Sequence, residues 1–447
     1  MKSNARRPPG GMAKTFPRWV VLHGLGRAAT RQWARKGDPQ ARLIADPSVR
    51  ENPYPIYEQI RAAGELSQTR VGLITATHAV AQSVLRSDDF RTTSVSASVL
   101  PRLQWIERAT RSGALHPLEK PSLLAVEPPS HTRYRSLVSS VFTARAVAAM
   151  RDDVQLVADR LLDDLAAEEG PVDLVPRYCA RLPVAVISNI LGVADADRAR
   201  VLEFGEHAAP SLDFALTYRQ FRTVEDGLIG FDRWLGEHLA ALRREPGDNL
   251  MSRLIQATVD GQHLDDEELR ATAGLVLAAG FETTVNLLGN GVRLLLDHPD
   301  QLDVLHSEPE RWTNAVDEIL RLESPVQMTA RIANRDLEIA GHPVARDSFV
   351  SLILAAANRD AAVFPEPTAF DVRRENAGRH LAFSGGRHFC LGAALARLEG
   401  EVGLRCLFDR FPQLAAAGPG TRRETRVLRG WANLPVRVRP TKVRTSA

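Results

Sequence analysis

The stretch FSGGRHFCLG, Phe383–Gly392, carries the strongest chemical signal in the chain. It sets Cys390 directly before an apolar pattern that predicts a helix from about Leu391 to Phe411. A cysteine binds a metal as its thiolate, and the free N–H groups and positive dipole at a helix N-terminus stabilise that anion. Glycines on either side, Gly386 and Gly392, leave room for a flat group to approach the sulfur. The stretch therefore predicts a metal-binding cysteine.

A lone cysteine in a glycine-rich turn is more often a buried structural residue, but here the whole stretch agrees with one pattern. It resembles the haem-binding signature of the cytochrome P450 superfamily, Phe-x-x-Gly-x-(Arg or His)-x-Cys-x-Gly. The resemblance extends from about Asn52 to Val438, and it implies haem b with the Cys390 thiolate on iron and with Phe383 and Gly392 beside the cofactor. Ser384 replaces a glycine common in bacterial members, which is tolerable if its φ is not positive.

The resemblance implies the cytochrome P450 fold, mainly α with minor β. This is a helix-rich triangular prism with small β-sheets, in which haem lies between a long oxygen-binding helix and the cysteine-ligand helix. The periodicity agrees, because residues 131–305 predict successive amphipathic helices and residues 337–350 predict short strands. Residues 95–125 show no clear period, and we expect a long loop there.

The oxygen-binding helix is predicted from about Asp266 to Asp297, and its middle is apolar on every side, as in a buried helix. The stretch AGFETT, Ala279–Thr284, resembles the superfamily's oxygen-activation motif. The Thr283 hydroxyl can bond back to the carbonyl of Ala279, and taken alone it would be a kink or packing residue. By resemblance, Thr283 hydrogen-bonds dioxygen, Glu282 supplies protons from solvent, and Ala279 lines the cofactor.

Glu318 and Arg321 are three residues apart, so they share one face of a predicted helix. Taken alone, this spacing indicates a surface ion pair of little energetic value. The resemblance implies instead a buried pair that is completed by a second arginine and holds the cysteine loop. Arg374 matches that position, and Arg373 beside it is the alternative.

Haem carries two propionates, so its site needs fixed cationic donors, and the forked guanidinium of arginine suits carboxylates. The resemblance assigns this role to four residues, each of which alone would more often be a solvated or capping side chain. They are His131, Arg135, Arg331 and His388.

Composition limits the other classes of function. The chain is 44% apolar and 25% charged with a net charge of +3, which is too mild to indicate nucleic-acid binding. Cys179, Cys390 and Cys406 make an odd count, which is too few for a disulfide framework and fits a reducing cytoplasm. No apolar run approaches the roughly 20 residues of a membrane span. The run Trp19–Leu22 is too short for a signal peptide. We therefore expect a cytoplasmic protein.

Residues 1–45 form a basic N-terminal arm, which we expect to be poorly ordered or peripheral, and residues 46–447 are predicted to form a single cytochrome P450 domain. Within the arm, Val20–Ala29 imitates a dinucleotide-binding turn but lacks the second strand of a βαβ unit. At most, the arm makes weak contact with an anionic membrane surface. The apolar residues for such contact are Trp19, Leu22, Leu25 and Trp33.

The resemblance implies a monooxygenase that inserts one oxygen atom of O₂ into an apolar organic substrate. No flavin or iron–sulfur segment is evident, so electrons would come from a separate ferredoxin and ferredoxin reductase. Two alternatives stay open: a peroxide-driven haem-thiolate hydroxylase or isomerase, and a non-enzymatic haem-binding sensor. The acid–alcohol pair Glu282–Thr283 favours the first function, because proton delivery is needed when oxygen is reduced and split.

Two surfaces follow from this assignment. The ferredoxin is expected to dock on the cysteine side of the haem, at a basic face made of Arg133, Arg145, Arg387 and Arg397. The substrate pocket is expected to be apolar, with contributions from residues 95–125, 212–221, 326–329 and 431–434 together with Leu275 and Ala279.

Overall fold

The computed structural model describes residues 9–94, 101–259 and 262–438, and helices dominate this part of the chain. The α-helices are α1 (Pro9–Trp19), α2 (Leu25–Arg35), α3 (Pro39–Ala45), α4 (Pro47–Glu51), α5 (Tyr54–Ala62), α6 (His78–Arg86), α7 (Gln104–Ala109), α8 (Ser130–Ser139), α9 (Ala144–Ala148), α10 (Arg151–Ala166), α11 (Arg181–Leu191), α12 (Arg198–Ala208), α13 (Tyr218–Arg244), α14 (Leu250–Gln256), α15 (Asp266–Asp297), α16 (Pro299–Ser307), α17 (Trp312–Leu322), α18 (Leu354–Ala357) and α19 (Ala393–Arg410). Two π-helical turns, Val20–Gly24 and Val175–Cys179, continue into helices.

The strands are short and form small sheets. They are β1 (Ser67–Gln68), β2 (Leu73–Thr75), β3 (Phe90–Thr92), β4 (Pro171–Asp173), β5 (Thr258–Val259), β6 (Gln262–His263), β7 (Thr329–Ala333), β8 (Leu337–Ile339), β9 (His342–Val344), β10 (Phe349–Leu352), β11 (Ala415–Ala416), β12 (Thr421–Arg422), β13 (Trp431–Asn433) and β14 (Pro435–Arg437). The largest sheet has the order β1-β2-β10-β7-β3, with only β2 and β10 parallel. A second sheet has the order β11-β14-β4, and three two-stranded pairs, β5–β6, β8–β9 and β12–β13, complete the set.

Helix α15 runs through the core between its predicted bounds. Its start is fixed by a capping box: the Asp265 carboxylate accepts from the N–H groups of Glu267 and Glu268 at 2.9 and 2.8 Å, and Glu268 bonds back to the Asp265 N–H at 3.1 Å. Within the described ranges, α15 is the helix long and apolar enough to cross a membrane, but 67% of its most apolar window is buried inside the protein. That burial is typical of a core helix.

Helix α19 packs closely on α15 because small residues face the contact. A Cβ added at Gly403 would lie 2.7 Å from a methyl group of Leu182 and 3.0 Å from one of Leu288, so glycine lets these leucines pack directly on the α19 backbone. The Tyr178 hydroxyl donates to the Gly403 carbonyl at 2.6 Å. Together with α10, α11 and α17, these two helices form the main apolar core, and the cysteine loop enters it at the start of α19.

Two less regular segments differ from what the sequence suggested, and the prediction of one continuous loop over residues 95–125 was wrong. Residues 95–100 lie outside the described ranges, but Pro101–Leu103 and α7 are helical where a continuous loop was expected. The N-terminal arm was expected to be poorly ordered or peripheral; between Pro9 and Ala45 it forms α1, a π-helical turn, α2 and α3, and part of its apolar surface packs inward. Leu22 is buried, whereas Leu25 is 46% exposed.

Candidate active site

The cysteine loop folds back on itself before α19. The Cys390 N–H donates to the Phe383 carbonyl at 2.9 Å and closes a hairpin-like turn. Gly386 sits at the tightest point with φ +63°, and an added Cβ would lie 2.2 Å from the Leu85 carbonyl oxygen. Glycine is therefore required at this position, and the backbone of the turn is locked against α6.

The condition under which serine would replace glycine without strain at position 384 is not met. The φ of Ser384 is +63°, in the left-handed region that favours glycine. The clash of Cβ with the backbone costs an L-residue about 1–2 kcal/mol there. The Ser384 N–H donates to the Leu381 carbonyl at 2.8 Å, and this turn holds the residue in its strained conformation.

The surroundings of Cys390 have opposing effects on the deprotonation of its thiol. Burial raises the pKa of the Cys390 thiol, while the backbone N–H of Gly392 and the guanidinium groups of Arg135 and Arg397 lower it. Arg397 also lies over the Phe383 ring, 4.7 Å from its centroid. The donor set is thus that of an anion held at a helix start.

Three of the predicted donors gather in one cluster with Glu127. The rings of His131 and His388 lie 4.3 Å apart; the buried Nε2 atom of His131 has no hydrogen-bond partner among the described residues, whereas Nε2 of His388 lies 3.5 Å from Oε1 of Glu127. Arg331 is 6% exposed on β7, and Glu127 and Arg387 both act on its charge. Burial, followed by the charge of His388, lowers the pKa of His131 to about 4, so its ring is neutral at pH 7.

The fourth predicted donor, Arg135, lies on α8 one turn beyond His131, near enough to act on the charge of Cys390. These cationic and imidazole groups therefore flank the thiol. A buried polar atom without a protein partner, such as Nε2 of His131, usually indicates a polar ligand. Two carboxylates of a ligand would satisfy this set, as the propionates of a haem do.

Helix α15 opens at one face only. Ala279 is exposed although Leu277 and Phe281 are buried, and Thr283, one turn later, is half-exposed. The Thr283 hydroxyl donates to the Ala279 carbonyl at 3.0 Å, as its position predicted. A small residue beside an alcohol on an open face leaves space for a ligand next to a hydrogen-bond donor.

Glu282 points away from this open face into the protein. It is 4% exposed, and its closest charged contact joins its Oε1 to Nη1 of Arg423 at 2.9 Å, without hydrogen-bond alignment. Burial raises the pKa of Glu282 to about 7, Arg423 lowers it, and Glu206 on α12 raises it. Arg423 is held by the hairpin β12–β13, because its Nε donates to the Trp431 carbonyl at 3.2 Å.

The buried ion-pair network is present, and Arg374 completes it. Arg321 donates to both oxygens of Glu318, at 2.6 and 2.8 Å, and Arg374 Nε donates to Glu318 at 3.1 Å. Arg373 instead pairs with Glu308 at the surface. Arg321 also donates to the carbonyls of Asn358, Pro367 and Ala369. The network thus fixes the irregular chain that leads to the cysteine loop.

The predicted basic docking face is largely neutralised within the chain. Arg145 is exposed, but the other three arginines bond to carboxylates. These pairs are Arg133 with Glu268, Arg387 with Asp88 and Glu127, and Arg397 with Asp317. Phe389, next to Cys390, is 41% exposed on the loop.

Two ionisable residues near the oxygen motif were not predicted from the sequence, the half-buried Arg423 and the buried Glu399. Arg423 is far from Glu282 in sequence, so no local pattern could have paired them. Glu399 on α19 is 1% exposed, and burial raises the pKa of its carboxyl well above the usual range, with a smaller opposing effect of Thr284. Glu399 shares a helix face with Leu395 and Val402, and that placement was the available signal.

The residues fit a haem held by a thiolate. Cys390 provides the sulfur at a helix start, the buried Nε2 of His131 has no hydrogen-bond partner among the described residues, and Ala279 leaves the opposite helix open. The fold and this site define a haem-thiolate enzyme.

Comparisons with known proteins agree. A family model described as cytochrome P450 matches residues 217–422. "Putative cytochrome P450 140" of Mycobacterium tuberculosis is 59% identical over 427 residues, 95% of this chain and 98% of its own length. The 6-deoxyerythronolide B hydroxylase of Saccharopolyspora erythraea is 42% identical over 70% of this chain and 76% of its own. The solved structure of Mycobacterium smegmatis CYP164A2 has a TM-score of 0.77 at 33% identity, covering 89% of this chain and 99% of that one.

The chain belongs to the cytochrome P450 family. It is a haem-thiolate monooxygenase, and the predicted mainly α fold with small sheets is confirmed.

Proposed function

We propose that this enzyme hydroxylates an apolar organic substrate with electrons from a separate ferredoxin and ferredoxin reductase, and that the Cys390 thiolate would hold the iron of its haem b. The supporting observation is the Cys390 thiol at the start of α19, flanked by Arg135 and by the buried His131 ring, whose Nε2 has no hydrogen-bond partner among the described residues. Thiolate-ligated haem supplies oxygen activation, because the sulfur pushes electron density that favours O–O cleavage. The protein's own residues must then hold the cofactor, exclude water and deliver protons.

His131, Arg135, Arg331 and His388 hold the two propionates in this proposal. The arginines contribute forked donors, and the neutral His131 ring offers one N–H. Glu127 balances the cluster, since it contacts Arg387 at 3.0 Å and accepts from the Thr92 N–H at 2.6 Å. Phe383 is buried in the turn that ends at Cys390, and Gly392 donates its backbone N–H to the Cys390 sulfur.

Glu282 and Thr283 deliver protons to the open face of α15. The pKa of Glu282 near 7 lets the group hold and release a proton around neutral pH. Thr283, bonded to the Ala279 carbonyl, presents its hydroxyl beside the smallest residue of that face. The Glu282 carboxyl lies inside the protein and the Thr283 hydroxyl lies at the open face of α15. The two side chains therefore connect the protein interior with the ligand side of the helix.

The substrate assignment rests on the apolar lining and on relatives. Leu275 and Ala279 share the open face of α15, which favours an apolar ligand. Two relatives bear hydroxylase names, 6-deoxyerythronolide B hydroxylase and vitamin D(3) 25-hydroxylase, which supports hydroxylation of an apolar organic substrate. Hydroxylation of such a substrate is the reaction class that we propose, in the cytoplasm.

Electron transfer is proposed at the cysteine side, close to the exposed ring of Phe389 and the exposed Arg145. Because Arg133, Arg387 and Arg397 are paired internally, steering by them is weaker than the sequence suggests. The exposed Phe389 ring and the exposed Arg145 then make a larger share of the contact with an acidic ferredoxin.

Reconstitution tests this function. The purified protein is assayed for substrate turnover with a bacterial ferredoxin, its reductase and NADPH, and in parallel with hydrogen peroxide alone. The proposal expects oxygenated product with the carrier pair and little with peroxide. Product with peroxide alone identifies a peroxide-driven enzyme, and no product in either assay with intact haem favours a sensor.

A further inference from the structure

Side chains from the N-terminal and C-terminal parts of the chain hydrogen-bond to the backbone of a short irregular segment between α12 and α13. Three consecutive carbonyls in residues 213–217, the crossover segment, accept side-chain hydrogen bonds. The donors are Trp19 Nε1 to Leu216 at 2.9 Å, Arg27 Nη1 to Ala215 at 2.8 Å and Arg426 Nη2 to Phe214 at 2.6 Å. The backbone carbonyls of a surface loop usually bond to water. Here three of them bond to side chains, and these three hydrogen bonds fix the conformation of the crossover segment.

The N-terminal arm also packs on the crossover segment and on the start of α13. A Cβ added at Gly26 would lie 2.4 Å from the Phe214 ring, so the ring rests directly on the helix backbone. Trp19 meets the Tyr218 ring edge-on at a centroid distance of 5.6 Å. Leu22 shares an apolar cluster with Ala208, Leu216 and Phe221. The arm therefore bridges the end of α12 and the start of α13.

The crossover segment holds a strained residue. Ala215 is 1% exposed and has φ +61°, in the region that favours glycine. Such a conformation persists only where the surroundings over-determine it. The arginine and tryptophan donors supply that constraint, so releasing them would let the segment relax.

Helices α12 and α13 separate the arm from the oxygen-motif region of α15. Gly205 of α12 lies against the Phe281 ring, where an added Cβ would be 1.8 Å from Cζ. On α13, Phe231 and Leu235 contact Gly274 of α15. A displacement of the crossover segment therefore moves the helices that lie against the residues before Glu282.

We propose that Trp19 and Arg27 are positioning residues: they latch the crossover segment, hold α12 and α13 closed against α15, and thereby restrict which ligands reach the active site. This inference rests on the proposed function, because it takes the open face of α15 as the ligand site. The latch limits bulky ligands more than small ones, because a bulky ligand needs a wider displacement of α12 and α13 to enter.

The test uses full-length holoenzyme with Trp19→Phe and Arg27→Met, singly and combined. Each change removes one donor and keeps most of the packing. Trp33→Phe and Arg31→Met are matched controls on α2, where Arg31 is exposed. Stopped-flow absorbance follows binding of imidazole and of the bulkier 4-phenylimidazole to the ferric haem. Hydrogen exchange is measured over the crossover segment.

The latch predicts faster exchange in residues 213–217 and faster association and dissociation of 4-phenylimidazole in the double variant. About a tenfold rise in both rates is expected from two lost hydrogen bonds, with Kd nearly unchanged. Imidazole rates should change less, and the controls should match wild type. Faster exchange with unaltered 4-phenylimidazole rates would overturn the latch, and so would equal acceleration of both ligands.

Hydrogen exchange does not depend on the haem assignment. A protein without a thiolate-type carbon monoxide spectrum would refute the proposed function, whereas unchanged exchange in the double variant would refute the latch alone.

Discussion

Replacing Arg423 with glutamine should raise the pKa of the Glu282 carboxyl. In the intact chain burial raises that pKa from 4.5 to about 7 against the opposing effect of Arg423, and Glu206 adds to the rise. At 2.9 Å the two charges attract by about 5–6 kcal/mol at an effective dielectric constant of about 20. Relaxation of the surroundings reduces this effect, and an opposite charge at such range typically shifts a carboxyl pKa by about 1–3 units. We expect the midpoint to move from about 7 to between about 8 and 10.

The sign of the stability effect follows from the same shift. The pKa of folded Glu282 lies above that of the unfolded chain, so the folded state retains a proton that the unfolded state loses. This group therefore lowers the free energy of unfolding as the pH rises from about 4.5 to 7. In the Arg423→Gln variant the loss continues to higher pH.

Infrared difference spectroscopy measures the midpoint directly. The carbonyl stretch of the protonated acid is followed across pH, and its absence in Glu282→Gln identifies the band. Arg422→Gln is the matched control, because Arg422 lies in the same hairpin but pairs with Glu323 at 3.3 Å. An unchanged midpoint in Arg423→Gln, or an equal shift in the control, would refute the pairing.

Four further predictions concern the rest of the site. Ser384→Gly should raise the free energy of unfolding in urea by about 0.5–1 kcal/mol, since glycine relieves the positive φ; a loss of stability would contradict the strain. Glu318→Gln should lower the free energy of unfolding in urea by about 3–5 kcal/mol, because it leaves buried guanidinium groups uncompensated; a change below about 1 kcal/mol would contradict that. Thr283→Ala should keep haem content while NADPH oxidation releases peroxide in place of product, and unchanged coupling would return Thr283 to a helix-packing role. Arg145→Glu should slow ferredoxin reduction of the haem at low ionic strength only, whereas a rate indifferent to charge and salt argues against docking there.

Short sequence patterns predicted the features of the structure that are determined by residues close together in the sequence. The apolar run of α15 and its capping residues set both helix ends, so the predicted and observed bounds agree. The resemblance named Glu318 and Arg321, and both lie in the buried network. The choice between Arg373 and Arg374 needed the fold, because adjacent residues on a turn face different neighbours.

Contacts between residues far apart in the sequence could not be predicted from short sequence patterns. Nothing near Glu282 indicates Arg423, since the β12–β13 hairpin brings them together from opposite parts of the sequence. The N-terminal arm looked like a solvated basic extension because its arginines dominate the composition. Its order comes from Trp19 and Leu22, whose partners lie almost 200 residues away on the crossover segment. A domain boundary at residue 46 stays a prediction.

The central claim is that the Cys390 thiolate holds the haem iron, and the reduced carbon monoxide difference spectrum tests it most directly. Wild-type protein should give the strongly red-shifted band of thiolate-ligated haem. Cys390→Ser should lose that band, because a neutral hydroxyl is a poor ligand, while Cys406→Ser on the same helix should keep it. A Cys390→Ser protein that retains the wild-type band would contradict the assignment.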